Sequence, residues 1–459
     1  MNKKEIIFII SLFIISFLLR FLLAFLSPIK YWDETIYANL GRNLIIHKNY
    51  TFLNFGDFFP NWPLAGARPP LLPFIISIVF LISKNSFWLN IIGPFFSSIG
   101  ILALFFFSRR LFNDKIAFYS SIIFAFFPSN LFWSSKLLTD GILLTFLIIG
   151  SHLFFSAFVL PYKKKTILAM MSGIIFGLAF LTRYTALWFF IMLGIWFIFV
   201  KRNLKFLYQK EFLSLIIGFI IIVLPWFIFN TYQFGAPLEF LKNSSEASIR
   251  WGGKSIFYYL KTLSKNFLSL IPLLFLGLFS FKKIKFERYS KSFITLWLFL
   301  IFIFASLTTA KENRYLLPIL PAFSIISASG IYYLERFKKA YKILALIILT
   351  LFLLFSTSQI IIKSHKNYLN TNTCFFASME QIKNSGAKNV VTEHFSPVYY
   401  YTLVPTIRIN NYTELKSQIN SDGETLYFYV EGDWFNLKSE TNTLKIIYKC
   451  EQYEIHKFI

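Results

Sequence analysis

The sequence holds no HExxH pair and no Cys/His spacing of a zinc site, and its five histidines are scattered. Protein-held metal chemistry therefore has little to build on. Cysteine is nearly absent: Cys374 and Cys450 are the only two in 459 residues, which excludes a scaffold built on disulfides. Acid is scarce as well, with 22 Asp plus Glu against 46 Lys plus Arg. No small-residue cleavage site follows the first apolar run, "MNKKEIIFIISLFIISFLLRFLLAFLS". That run also exceeds the roughly 7–15 residues of a signal-peptide core, so it reads as a retained first helix. Clear internal repeats and matching Gly- or Pro-broken halves, the marks of a secondary transporter, are missing too.

What abounds is apolar length. Hydrophobic residues make up 56% of the chain, and 60 residues are Phe. They fall in runs long enough to cross about 30 Å of hydrocarbon at ~1.5 Å per residue, the composition of a polytopic helical membrane protein. The net charge of +24 suggests a nucleic-acid partner until its distribution is examined. From Lys363 onward 10 basic residues balance 10 acidic ones, leaving 36 basic against 12 acidic in the first 362. There the excess clusters in short loops, "RRLFNDK", "YKKK", "KRNLKFLYQK", "KKIKFERYSK" and "ERFKKAYK". Cytoplasmic loops look this way under the positive-inside rule, so membrane lipid is the implied surrounding and no nucleic acid is expected.

The basic loops also fix a topology, because an even number of crossings must join each successive pair. Apolar runs near 116–133 and 137–160, 166–181 and 184–200, 212–231 and 264–281, and 292–307 and 315–334 satisfy this. Before Arg109 the parity holds only if the run at 70–83, "PLLPFIISIVFLIS", does not cross. At about 14 residues it is short for a span and is expected to be interfacial or re-entrant. A last helix near 342–362 brings the total to about eleven spans. The expected fold class is an all-α polytopic membrane domain over residues 1–362, with an outer loop 28–69, followed by a small extracytoplasmic α/β domain over 363–459. In that tail "KNVVTEHF", "TIRIN" and "TLYFYVEG" read as strands, and "SPVYYYTL" and "YTELKSQINS" as short helices. Both cysteines lie in it, where an oxidising compartment permits a disulfide; two buried free thiols would read identically.

With sidedness assigned, the charges hardest to explain sort to one face. Asp33, Glu34 and Arg68 fall in the first outer loop, and Asp140 and Arg183 at outer helix ends. Glu239, Glu246 and Arg250 occupy another outer loop, and Lys311, Glu312 and Arg314 stand in "TTAKENRYLLP". Charges near membrane depth are costly unless they pair or line a cavity, which makes these residues functional candidates. Each has a plainer reading. Asp33 could cap a helix whose apolar Ile36, Leu40 and Leu44 recur at helical spacing, and Asp140 could simply start one. Arg68, Arg183 and Arg314 could snorkel to the interface. Arg20, inside the first helix, is expected to snorkel to the outer surface.

The segments "WDETIY", "RPPLLP", "RRLF", "LLTDGILL", "FLTRYTALW" and "ENRYLLPILP" occur in this order along roughly residues 1–340. In order and spacing the set resembles membrane glycosyltransferases of the GT-C class. The resemblance is nearest to the protein O-mannosyltransferase and aminoarabinose-transferase group, that is, dolichyl-phosphate-mannose-protein mannosyltransferase-like proteins. It implies a GT-C fold and a sugar donor carried on polyprenyl phosphate (dolichyl or undecaprenyl). It also implies transfer to a hydroxyl of a protein, lipid or glycan acceptor at the extracytoplasmic face of the plasma membrane. Carried over residue by residue, Asp33 corresponds to the catalytic acid, with Glu34 as its partner. Arg68, Arg183, Arg314 and Lys311 become binders of the donor phosphate, and Asp140 a second acidic site. The chemistry agrees, since such a transfer needs a base for the acceptor proton and cations for the departing phosphate. Arginine suits the second task by its bidentate fit. Direct displacement would invert the anomeric centre. No cofactor or obligatory metal is expected, because Asp33 and Asp140 are too few ligands. Two other readings stay open: a polymerase or ligase using a lipid-diphosphate oligosaccharide, and a transporter or flippase of lipid-linked saccharide.

Overall fold

The structure, a computed structural model, describes residues 3–27, 32–48, 50, 68–159, 164–201, 207–250, 253–261, 270–336, 339–392, 394–407, 425–430 and 444–458. Two compact units divide the chain. The first comprises Met1–Ala24, Gly66–Leu72 and Trp88–Ile361, and the second Phe25–Ala65, Pro73–Phe87 and Ile362–Ile459.

The first unit is helical. In chain order it opens with α1 (Lys3–Phe25); α2 (Trp32–Ile46) and most of α3 (Leu71–Ile82) belong to the second unit. The first unit resumes with α4 (Ile92–Leu111), α5 (Asp114–Phe126), α6 (Pro128–Ser134), α7 (Thr139–Phe158), α8 (Lys165–Thr182) and α9 (Ala186–Trp196). Then come α10 (Lys210–Phe234), α11 (Glu239–Arg250), α12 (Ile271–Lys283), α13 (Arg288–Leu307), a 3-10 turn (Asn313–Ile319), α14 (Leu320–Leu334) and the start of α15 (Lys339–Asn384). Among the described residues seven helical stretches are long and apolar enough to cross a membrane, and the bent pair of α5 and α6 makes an eighth. Of the remaining expected runs, 184–200 forms α9, which continues as a short π turn to Lys201, the part of 264–281 from Ile271 onward forms α12, and 342–362 lies within α15. The run at 70–83 forms α3, only 12 residues long. The polytopic helical architecture is thus borne out. Its centre is α7 and the 313–334 stretch, in which 78% and 83% of the apolar window is buried, against 28% for α1 and 17% for α10.

The bend between α5 and α6, 59°, has a local cause. Pro128 has no N–H, so the helix cannot continue across it and the last carbonyls of α5 lose their partners. Asn130 Nδ2 donates to Phe124 O at 2.8 Å, and Arg20 Nη2 donates to Ala125 O at 2.7 Å. Arg20 also donates from Nε to Ser134 Oγ at 2.8 Å and from Nη1 to Ser16 Oγ. It is fully buried. This corrects the expectation that Arg20 snorkels outward: freed backbone carbonyls draw the guanidinium inward, where leaving them unsatisfied would be costly.

In the second unit the C-terminal part of α15 packs with a five-stranded sheet. Its strands are β1 (Asn389–Val391), β2 (Thr406–Ile407), β3 (Thr425–Val430), β4 (Leu444–Cys450) and β5 (Tyr453–Phe458), in the order β2-β1-β3-β5-β4. β1 runs parallel to both neighbours, and β5 antiparallel to both of its own. The helix α16 (Phe395–Thr402) joins β1 to β2. Phe375, Ile382, Val390, Val398, Phe428 and Ile455 form the core. Cys374 on α15 is disulfide-bonded to Cys450 at the end of β4, with Cα atoms 5.4 Å apart. The strands expected at 388–395, 406–410 and 425–432 correspond to β1, β2 and β3, and the helix expected at 396–403 to α16. The helix expected at 412–421 lies outside the described residues. β4 and β5 were not anticipated.

Candidate functional site

In the first unit, three of the charges singled out by sequence meet. Asp140 occupies the first turn of α7, after Leu138 in extended conformation. Gly141 beside it has no side chain, which lets Ser97 Oγ and Ser134, whose Cβ would lie 3.2 Å from an added one, close on this turn. Arg183 ends α8 in extended conformation (φ −159°, ψ 125°), which turns its side chain off the helix. Arg314 enters the 3-10 turn that leads into α14, a turn braced by Trp297 Nε1 donating to Pro318 O at 2.7 Å. Arg183 Nη1 donates to Asp140 Oδ1, and Arg314 Nη1 lies 3.9 Å from Asp140 Oδ2. Arg314 also forks onto Glu312, with Nε to Oε2 at 2.7 Å and Nη2 to Oε1 at 3.3 Å.

Burial makes this arrangement electrostatically expensive, and so informative. The side chains of Asp140, Arg314 and Arg183 are 2%, 5% and 17% exposed. Around the carboxylates Asp140 and Glu312 stand the guanidiniums of Arg183 and Arg314, and Lys311, next to Glu312 in the chain, is buried as well. Aromatic faces share the load: the Arg183 guanidinium stands 4.3 Å from the Tyr315 ring centroid, and that of Arg314 stands 5.4 Å from Tyr315 and 5.7 Å from Trp133. A second segment stitches the loop in place. Lys254 Nζ donates to Lys311 O at 2.8 Å, Lys311 Nζ donates to Lys254 O at 3.3 Å and to Thr308 O, and Tyr259 Oη donates to Glu312 O at 3.0 Å. Burial pushes the Tyr259 phenol up, so it remains a donor there. Arranged this way the cluster can hold an anion: the guanidiniums are fixed by their partners before any ligand arrives. Trp133, Tyr259 and Tyr315 were not anticipated from the sequence.

Arg68 is half-buried at the entry to α3, ahead of Pro69 and Pro70. The side chains of Glu246 and Arg250 lie outside the described residues. Asp33 and Glu34 belong to the second unit, in the first turn of α2, where acid is favoured by the helix dipole. Both are buried. α2 begins at Trp32, so Asp33 lies within the first turn instead of at the cap position. Gly41 allows α2 to lie against Ile76 and Pro73 of α3, where an added Cβ would come within 2.8 Å of Pro73 O. On another side Thr35 Oγ1 is 2.9 Å from Ser396 Oγ of α16, and Asn39 Nδ2 donates to Ser396 O at 3.1 Å. Burial first, then Tyr400 and the Glu34 carboxylate, push the Tyr401 phenol up. Among the described residues no group of three or more His, Cys, Asp or Glu could hold a metal ion.

Residues 67–229 match the family model described as dolichyl-phosphate-mannose-protein mannosyltransferase. An uncharacterized protein of Aquifex aeolicus is 27% identical over 321 residues, 68% of this chain and 71% of that one. The lipid A galacturonosyltransferase RgtD of Rhizobium johnstonii is 27% identical over 123 residues, 26% of this chain and only 25% of its own length. Among solved structures, ArnT from Cupriavidus metallidurans bound to undecaprenyl phosphate matches 100% of this chain and 99% of its own, with a TM-score of 0.76 at 12% identity. The archaeal oligosaccharyltransferase AglB from Archaeoglobus fulgidus, in complex with an inhibitory peptide and a dolichol-phosphate, matches 89% of this chain and 65% of its own, with a TM-score of 0.61 at 12% identity. The chain has the fold of these GT-C membrane proteins.

Proposed function

We propose that this chain, a membrane glycosyltransferase of the GT-C class resembling the dolichyl-phosphate-mannose-protein mannosyltransferases, moves a monosaccharide from a polyprenyl-phosphate donor to an acceptor hydroxyl on the extracytoplasmic side of the plasma membrane. The observation that carries this reading is the buried cluster of Arg183 and Arg314 around Asp140. In it Asp140 orients the guanidiniums, and their N–H groups stabilise the phosphate as charge builds on its bridging oxygen. Lys311 adds a further cation, and Arg68 another from the entry to α3. Asp33 takes the proton of the acceptor hydroxyl, with Glu34 beside it. The acceptor oxygen then bonds to the anomeric carbon, the carbon–oxygen bond to phosphate breaks, and its electron pair leaves with the lipid phosphate. A single displacement of this kind inverts the anomeric centre. ArnT and AglB were captured with undecaprenyl phosphate and dolichol-phosphate, which supports a lipid of this chemistry as the carrier here.

The test is a donor panel on the purified protein: lipid-monophosphate monosaccharides against lipid-diphosphate oligosaccharides, with release of the lipid phosphate measured. Turnover is expected with a monophosphate donor. Exclusive use of diphosphate oligosaccharides would replace this reading with that of a polymerase or ligase. On the productive donor, Asp33→Asn keeps size and helix-start character but removes the proton acceptor. It is expected to bind donor normally while turnover falls by roughly 10²–10⁴.

A further inference from the structure

The acidic helix α2 is held from behind by the C-terminal domain. Successive residues of an α-helix are separated by about 100° around its axis. With Asp33 at the origin, Gly41 lies at about 80°, Arg42 at about 180°, Thr35 at about 200° and Asn39 at about 240°. Gly41 is the contact with α3. The other three contact α16. Thr35 Oγ1 pairs with Ser396 Oγ at 2.9 Å, and Asn39 Nδ2 reaches Ser396 O at 3.1 Å and Ser396 Oγ at 3.3 Å. Arg42 Nη1 donates to Tyr400 O at 3.0 Å, with its guanidinium 4.8 Å from the Tyr400 ring centroid. The arc gripped by α16 is thus opposite Asp33. Thr35, Asn39 and Ser396 are all fully buried, so their hydrogen bonds have no water to exchange with and favour one arrangement.

We infer that Ser396 is a positioning residue for the reaction: by engaging Thr35 and Asn39 with its hydroxyl and carbonyl, it sets the rotation of α2 about its axis and thereby the direction of the Asp33 carboxylate. The C-terminal domain is then a working part of the catalytic apparatus. This rests on the reading of Asp33 as the base. A misplacement of about 1 Å at a reacting group costs on the order of 10²-fold in rate, and a small turn of α2 moves its outward side chains by that much.

The experiment compares Ser396→Ala, Ser396→Thr, Thr35→Val and Asp33→Asn in the full-length protein. Thr35→Val removes the same hydroxyl contact from the α2 side and serves where Ser396→Ala folds poorly. Per folded enzyme, Ser396→Ala and Thr35→Val are expected to lower kcat by about 10- to 100-fold with donor KM unchanged, and Ser396→Thr to recover part of the loss. Adding Ser396→Ala to Asp33→Asn should cost nothing more, because both act through the same carboxylate. Parent kcat in both Ser396→Ala and Thr35→Val, with only the melting temperature lowered, would overturn the inference while leaving Asp33 as the base. Parent kcat in Asp33→Asn would instead overturn the base assignment, and the positioning role with it.

Discussion

Asp140 combines a place in the first turn of a helix with a pair of cationic partners. It opens a helix, and it is the carboxylate onto which Arg183 folds and near which Arg314 stands. If the two arginines hold the donor phosphate, charge alone will not replace them. Arg183→Lys and Arg314→Lys are each expected to raise the donor KM by about 10-fold, because an ammonium lacks the planar fork. Unchanged donor KM in both would leave them as a structural ion-pair cluster around Asp140. Asp140, Arg183 and Arg314 were legible as candidates because charge near membrane depth is rare enough to stand out. The aromatic residues around them were not. Phe, Trp and Tyr make up 20% of the chain, so Trp133 and Tyr315 carry no signal until the fold stacks them on guanidiniums. Thr35 and Ser396 were equally silent, being small polar residues that meet across 361 positions of sequence.

At the scale of the element, apolar length and basic loops were enough to mark the helices, but not where they break. The run expected as one helix over 116–133 is two, because Pro128 removes a donor and Asn130 and Arg20 satisfy the carbonyls that this frees. Asn130→Leu would leave Phe124 O buried without that donor. It is expected to lower stability by about 1–3 kcal/mol, read as a drop in the midpoint of thermal unfolding in detergent. An unchanged midpoint would mean that the bend is held by packing alone. The tail shows the converse limit. β3, "TLYFYV", has the unbroken aromatic and β-branched density that reads as a strand, whereas in β4, "LKIIYKC", and β5, "YEIHKF", Lys445, Lys449, Glu454 and Lys457 interrupt it. Their strand character comes from pairing with each other and with β3.

For the whole molecule, the ordered motifs made the GT-C resemblance legible, and the long apolar runs the polytopic helical fold. The grouping of the two compact units was not. Residues 25–65 and 73–87 fall with the C-terminal segment through contacts that no local pattern announces. The Cys374–Cys450 bridge joins residues 76 positions apart, a pairing of the kind that an oxidising compartment permits. With both native thiols tied up, single introduced cysteines report sidedness directly. Exposed Lys383→Cys should react with a membrane-impermeant thiol reagent in intact cells, and exposed Lys164→Cys only after lysis. Reaction of Lys164→Cys from outside would reverse the topology.

The buried Arg20 also bears on the order of assembly during synthesis. Its partners at Ala125 and Ser134 lie 105 and 114 residues downstream, so when α1 enters the bilayer only Ser16, four residues away, is there to receive the guanidinium. Even at a helix centre an arginine costs about 2.5–3.5 kcal/mol on the translocon scale, and Arg20 lies nearer the end of α1 than its middle. The sixteen Leu, Ile and Phe of α1, at roughly 0.3–0.6 kcal/mol each, outweigh that cost. The first helix can therefore be delivered to the membrane with an unmet demand for hydrogen-bond acceptors, and the bent α5–α6 pair that follows is what meets it.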